Sequence, residues 1–282
     1  MRKPKWLVIT QYVFAAGLLV WTVSPFLWLF ITSISYQVDL LSVPIHWIPE
    51  RVTFERYAAI FQDAHNDIAY AFRISMMNSL AVAVTVTVLA LVIGGLAAHA
   101  FVKYKFRFSP QLVYVFLFTY MIPSIVIVIP LYVTLQKLGM LDQKLTLVLL
   151  HLTFAIPFVI WIMQGFFRQV AQDFYEAALL DGCGRLQLLR LVVVPIIRPG
   201  ILATIIFAFL LSWDEFFFSL LFTSTLDAKT ISVAISEFSG KHAVDVGMVA
   251  TGGVIASLPP LFIAIVFQRA LVRGMTAGGV KE

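Results

Sequence analysis

Few side chains in this sequence could do chemistry, and the most conspicuous fall in two places. The stretch EAALLDGCGRLQLLRLVVVP, residues 176–195, carries Glu176, Asp181, Arg185 and Arg190 together with Gly182 and Gly184. The stretch WDEFFFSLLFTS, residues 213–224, sets Asp214 and Glu215 inside an otherwise uncharged apolar run. Neither stretch supplies a nucleophile with an adjacent base. The chain also lacks a G-x-x-x-x-G-K-[ST] phosphate loop, an H-E-x-x-H metal helix and a nucleophile elbow. The lone Cys183 forms no internal disulfide and has no metal-spaced Cys partner, so it reads as a small filler residue. The chain is therefore expected to be non-catalytic, with no metal and no nucleotide of its own.

Two carboxylates in an apolar run are costly. Each costs about 2.5–3.5 kcal/mol at a helix centre if left facing lipid, so Asp214 and Glu215 should face a cavity, a partner subunit or water. Trp213 and Phe216–Phe218 crowd them. Flat aromatic faces beside hydrogen-bond acceptors suit a sugar, which offers apolar ring faces and paired hydroxyls. Trp213, Asp214, Glu215 and Phe216 are thus candidates for a substrate pathway. The competing reading is that one of the two acids simply bonds a neighbouring helix. His99 and His151 lie near the ends of apolar runs, where an interfacial or helix-bonding role outranks a proton relay.

The first stretch reads as a short, well-marked helix. Asp173 is placed to cap its N-terminus, Glu176 follows at the capping-box position, and Gly182 stands where a left-handed C-terminal residue is wanted. Ala177, Ala178 and Leu180 give it a narrow apolar profile. Two turns do not persist alone in water, so the helix needs a surface to pack against. That surface is either a groove on another protein or the membrane.

The elements that must position these groups follow from composition. Of 282 residues, 61% are apolar and 12% charged, and the mean hydropathy is +0.94. A soluble domain is about a quarter charged. Six apolar stretches, at about 6–33, 75–102, 111–135, 145–167, 200–224 and 249–270, are long enough to cross a bilayer. Backbone groups in lipid must be satisfied within a segment, so the expected fold is an all-α membrane protein, one domain over 1–282 with six transmembrane helices. The first run follows the basic MRKPK but is too long for a signal-peptide core, and it reads as a retained span. Thirteen of the twenty Lys and Arg residues fall on the faces that become cytoplasmic if the N-terminus is inside. Both termini are then cytoplasmic, as are the loop 168–199 and the tail 271–282. The net charge of +5 is an orientation signal, so nucleic acid is not an expected partner. Outside, 53–73 should form a helix lying in the interface through Phe54, Tyr57, Phe61 and Ile68. Pro123, Pro130, Pro157, Pro259 and Pro260 should kink spans.

One resemblance ties these features together. EAALLDG, followed by residues running to Pro195, resembles the cytoplasmic EAA loop (E-A-A-x-x-x-G-x9-I-x-L-P) of ABC importer membrane subunits, with Val192 and Val194 in place of Ile and Leu. LVRGMTAGGVKE, residues 271–282, resembles the cytoplasmic tail of the second subunit of maltose-type carbohydrate-uptake permeases, and WDEFFFSLLFTS resembles its fifth-span signature. The resemblance covers nearly the whole chain. It implies the type I ABC importer permease fold in the inner membrane of a prokaryote. It makes Glu176, Ala177, Ala178, Leu180, Asp181, Gly182 and Pro195 an ATPase-coupling segment, and Thr276, Gly278 and Gly279 an ATPase contact. The implied partners are two ATP-binding subunits carrying ATP and Mg, a second permease subunit completing a heterodimer, and an extracytoplasmic solute-binding protein that docks on the loop 225–248. The identity of the sugar, sugar alcohol or glycerol phosphate does not follow. An ion-gradient-driven secondary transporter is the alternative; it calls for in-membrane coupling residues and commonly an internal repeat, and only Asp214-Glu215 meets that description.

Overall fold

The computed structural model describes residues 4–44, 47–62, 67–104, 108–238 and 245–279. Among these the chain is helical, and its single bridge joins Ser35 to Val52. It divides into two compact units, residues 1–73 with 234–258, and residues 74–233 with 259–282.

The first unit begins with α1 (Lys5–Ile34), whose apolar run explains its 30 residues. Most of its side chains are exposed, and burial sets in only at Thr32 and Ser33. A short α2 (Gln37–Leu40) and α3 (Glu55–Gln62) follow. Of the expected interfacial helix 53–73, α3 covers Glu55–Gln62 and α4 covers the part from Asp67, while residues 63–66 lie outside the described residues. Arg56 organises the unit. Its guanidinium donates to the carbonyls of Ser35 (2.6 Å) and Ser33 (3.4 Å) and pairs with Asp245 at 3.2 Å. Gly247 lies against it, since a Cβ there would sit 2.2 Å from the guanidinium carbon.

The second unit takes in most of α4 (Asp67–Lys103), then α5 (Ser109–Thr119), α6 (Ser124–Lys137) and α7 (Lys144–Phe167). A run of short helices follows: α8 (Gln172–Leu180), α9 (Arg185–Leu188), a π-helix (Leu189–Val193) and α10 (Val194–Ile196). Next come α11 (Arg198–Trp213) and α12 (Phe217–Phe222), then α13 (Ile231–Glu237) and α14 (Val246–Gly279), of which residues 234–258 belong to the first unit. α7 lies at the centre, packed by α5, α11 and α12. Two close approaches need glycine. A Cβ on Gly94 would lie 2.9 Å from the Val159 side chain, and one on Gly200 would lie 2.2 Å from the Phe166 ring.

Among the described residues four helices are long and apolar enough to cross a membrane: α1, α4 from Ala69, α7, and α14 to Gln268. Counting Arg185–Ile196 with Arg198–Trp213 as one bent pair adds a fifth. Two of the six expected spans are not continuous helices. The run 111–135 breaks between Thr119 and Ser124, where Pro123 has no N–H to give and disfavours helix at the residue before it. The run 200–224 breaks at Asp214–Phe216. Pro25, Pro130, Pro157, Pro259 and Pro260, by contrast, remain inside helices. α14 does not stop near 270 but continues to Gly279.

Candidate functional site

The helix expected around 176–182 is α8, and its C-terminus is built as anticipated. Gly182 has φ +80°, its N–H donates to the Leu179 carbonyl (3.1 Å), and the Cys183 N–H donates to the Ala178 carbonyl (3.0 Å). That pair of bonds is a Schellman closure, which a left-handed residue makes possible. The N-terminus differs from expectation. Ala171 takes the cap position with no side-chain bond, Asp173 sits within the first turn, and Glu176 instead accepts a bond from Gln172 Nε2 at 3.3 Å. A carboxylate in the first turn still meets the positive end of the helix, so Asp173 supports it by charge rather than by a cap bond.

What α8 packs on was not anticipated. Tyr175 and Ala178, three residues apart, form its buried edge. Lys103, the last residue of α4, holds its ammonium 3.7 Å above the centre of the Tyr175 ring and donates to Gln172 Oε1 at 3.1 Å. His99 also stacks on Tyr175 with the rings 6.1 Å apart, and lies 5.2 Å from Phe167. Burial pushes the Tyr175 phenol up, so the ring stays neutral beneath the cation. Phe174, Glu176, Ala177, Leu179, Leu180 and Asp181 face outward, Leu180 at 88% exposure. An anchored helix thus presents an uncovered apolar tip.

Beyond it the chain turns sharply. The Val194 N–H reaches back to the Leu189 carbonyl, one residue further than in an α-helix, and Pro195 has no N–H to continue the ladder. Ile197 then closes an 81° bend into α11. A cavity of about 250 Å³ lies in this elbow, lined by Leu91, Gly95, Met163, Phe167, Leu189 and Ile201 among other apolar groups.

The second candidate, Trp213–Phe216, is split by the structure. Trp213 is buried and stacked on Phe209 at 5.4 Å, while Asp214 and Phe216 are exposed. Glu215 turns inward. Its Oε1 accepts from the Phe218 N–H (2.7 Å), and its Oε2 accepts from the Ser219 N–H and hydroxyl (both 3.0 Å). His151 Nε2 lies 3.2 Å from Oε2, and His151 Nδ1 lies 2.7 Å from Ser212 Oγ. Glu215 is therefore the acid that bonds a neighbouring helix, and it caps α12. His151 is fully buried on α7, two turns from its start rather than at an interface.

At the far end of α12, Asp142 in a left-handed conformation accepts the N–H groups of Ser224 (2.8 Å) and Thr225 (3.0 Å). Asn78 donates to the carbonyls of Leu226 and Lys229 and accepts from Lys144 Nζ at 3.0 Å. Lys229, read as part of a polar outer loop, is buried. Lys241 and His242 of that loop lie outside the described residues. Of Thr276, Gly278 and Gly279 the structure describes the helical backbone.

Residues 90–277 match the family described as binding-protein-dependent transport system inner membrane component. The chain is 32% identical to the trehalose transport system permease protein SugB of Mycobacterium tuberculosis, over 99% of this chain and 98% of the relative. It is 30% identical to the trehalose/maltose transport system permease protein MalG of Thermococcus litoralis, over 91% of this chain and 91% of the relative. Among solved structures it is similar to a chain of a bacterial ABC transporter involved in the import of the acidic polysaccharide alginate, with a TM-score of 0.78 over 95% of this chain and 98% of that one, at 20% identity.

Proposed function

This chain belongs to the family of binding-protein-dependent transport system inner membrane components, and we propose that it is a permease subunit of an ATP-driven carbohydrate importer. The substrate class rests on the relatives named for trehalose and maltose transport. One observation carries the mechanical part of the reading. α8 is a helix closed at its C-terminus and pinned by its Tyr175 edge to Lys103 and His99 of α4, with an uncovered apolar tip. A motor can drive a membrane subunit only through a surface that transmits displacement as a rigid body.

In this reading α1, α4, α5 with α6, α7, α11 with α12, and α14 are the six spans of a single permease domain, with both termini cytoplasmic. Glu176, Ala177, Ala178, Leu180, Asp181, Gly182 and Pro195 form the coupling segment for an ATP-binding subunit, and Thr276, Gly278 and Gly279 approach the same partner. A second permease subunit completes the pathway, and an extracytoplasmic binding protein delivers the sugar. Trp213, Asp214, Glu215 and Phe216 mark the pathway by two different means: Asp214 and Phe216 by exposure, Trp213 and Glu215 by supporting them from within. A gradient-driven carrier is not favoured, because Glu215 is already engaged by three donors and His151.

The experiment is purification from the native host, followed by trehalose uptake into proteoliposomes with the cognate binding protein present. A co-purifying ATPase and uptake that requires ATP are expected. Uptake by this chain without any ATPase would overturn the reading.

A further inference from the structure

We propose that His151 is a positioning residue that staples the break in the fifth span and so fixes the direction in which Asp214 and Phe216 point. The inference rests on the transport reading above for its functional meaning, but its geometry stands alone. α11 ends at Trp213 and α12 begins at Phe217; Asp214 still donates to the Leu210 carbonyl and Phe216 still accepts from the Leu220 N–H, so the two ladders part at Glu215. A two-piece span joined by three residues is free to swivel unless something outside it grips both halves. His151, on α7, is that grip. One ring nitrogen meets Ser212 on the last turn of α11 at 2.7 Å, and the other meets Glu215 at 3.2 Å. Glu215 in turn holds the Phe218 and Ser219 amides that open α12.

The packing around the ring supports a fixed geometry. His151 is 0% exposed. Phe154, one turn further along α7, lies 5.5 Å from the His151 ring and stacks on Phe218 of α12 at 6.2 Å with the planes 9° apart. The neighbouring helix therefore touches both sides of the break by polar and apolar means together. An imidazole suits the task because its two nitrogens diverge, so one side chain can engage two segments at once. Asp214 and Phe216, in the same linker, stand exposed.

The test uses the assembled complex from native membranes, with Cys183→Ser removing the single native cysteine and Thr223→Cys as reporter. Thr223 is buried at the end of α12, bonded to the Ser219 carbonyl. Its reaction with a water-soluble methanethiosulfonate reports how often α12 swings free. His151→Leu should raise the labelling rate about tenfold or more, the factor expected when the Ser212 hydrogen bond and the close approach to the Glu215 carboxylate are lost together. His151→Gln, which can still donate to Glu215 and reach Ser212, should restore a rate within about threefold of the parent. Binding-protein-stimulated ATP hydrolysis should fall in the Leu variant and recover in the Gln variant. Parent-like labelling in His151→Leu would overturn the proposal, as would a Gln variant no better than Leu. If the Leu variant does not assemble, Ser212→Ala decides: faster labelling supports the staple, and the parent rate sinks it. Absence of any ATPase partner would defeat the transport reading and leave the labelling contrast intact.

Discussion

Gly182 and Gly200 look alike in the sequence and are needed for opposite reasons. Gly182 has open space around its missing Cβ but a φ of +80°, so a side chain there strains the backbone and meets nothing. Gly182→Ala should destabilise the end of α8 by about 1–2 kcal/mol, lowering ATP-coupled uptake while assembly, measured by size-exclusion yield, stays near normal. Gly200 has ordinary backbone angles, but a Cβ there would lie 2.2 Å from the Phe166 ring. Gly200→Val should overpack α7 against α11 and lower thermal stability by about 1–3 kcal/mol, visible as a reduced melting temperature of the purified complex. Asp142 yields a pH prediction. Burial pushes its carboxyl up, but the amides of Ser224 and Thr225 and the Thr225 side chain outweigh that and hold it below its ordinary value. Because the folded group is the stronger acid, its support for the loop after α12 is complete above the unfolded value of about 3.9 and vanishes as pH falls through the lower folded value. Asp142→Asn should therefore be less stable than the parent at neutral pH, with the gap in melting temperature closing only below about pH 4.

Among the elements, the continuous spans were legible and the broken ones were not. α1, α4, α7 and α14 follow from uninterrupted apolar runs, which any reading of hydropathy detects. The breaks at 120–123 and 214–216 sit inside runs just as apolar. One is set by a proline whose kin at 130 and 157 stay helical, and the other by a carboxylate whose partner His151 is 64 positions away. α8 shows the same division. Its Gly182 terminus is local chemistry and was readable, whereas its anchor, Lys103 over Tyr175, joins residues far apart in the chain. That anchor carries a prediction of its own. Lys103→Met removes the cation and the bond to Gln172 while keeping a long apolar stem, at a cost of about 0.5–1 kcal/mol. ATP hydrolysis by the assembled complex should continue, while sugar taken up per ATP falls, because α8 would then move without dragging α4. An unchanged ratio of uptake to hydrolysis would remove Lys103 from the coupling route.

Over the whole molecule, the family was readable because its marks lie in short contiguous stretches, at 176–195, 213–224 and the C-terminal tail. What lay beyond reading was the set of single side chains that join distant segments, such as Asn78 under the loop 226–229 and Arg56 beneath residues 33–35 and 245. Arg56→Met should expose its effect away from any candidate site. Amide exchange at residues 33–36 and 246–249 should quicken while that of α7 is unaffected, since the three lost bonds all belong to the first unit.

The way α1 is held has a practical corollary. Between Trp6 and Phe26 nearly every side chain is exposed, and the contacts gather toward the C-terminal end, where Trp28 meets Trp47, Ser33 bonds Tyr57, and the Arg56 guanidinium holds the Ser33 and Ser35 carbonyls. It is a mast stepped at one end. A fluorophore or crosslinker placed along its outer length would report the surrounding lipid or neighbouring chains without disturbing its footing, whereas trimming the mast away would cost the guanidinium its Ser33 bond and leave it to Ser35 and Asp245.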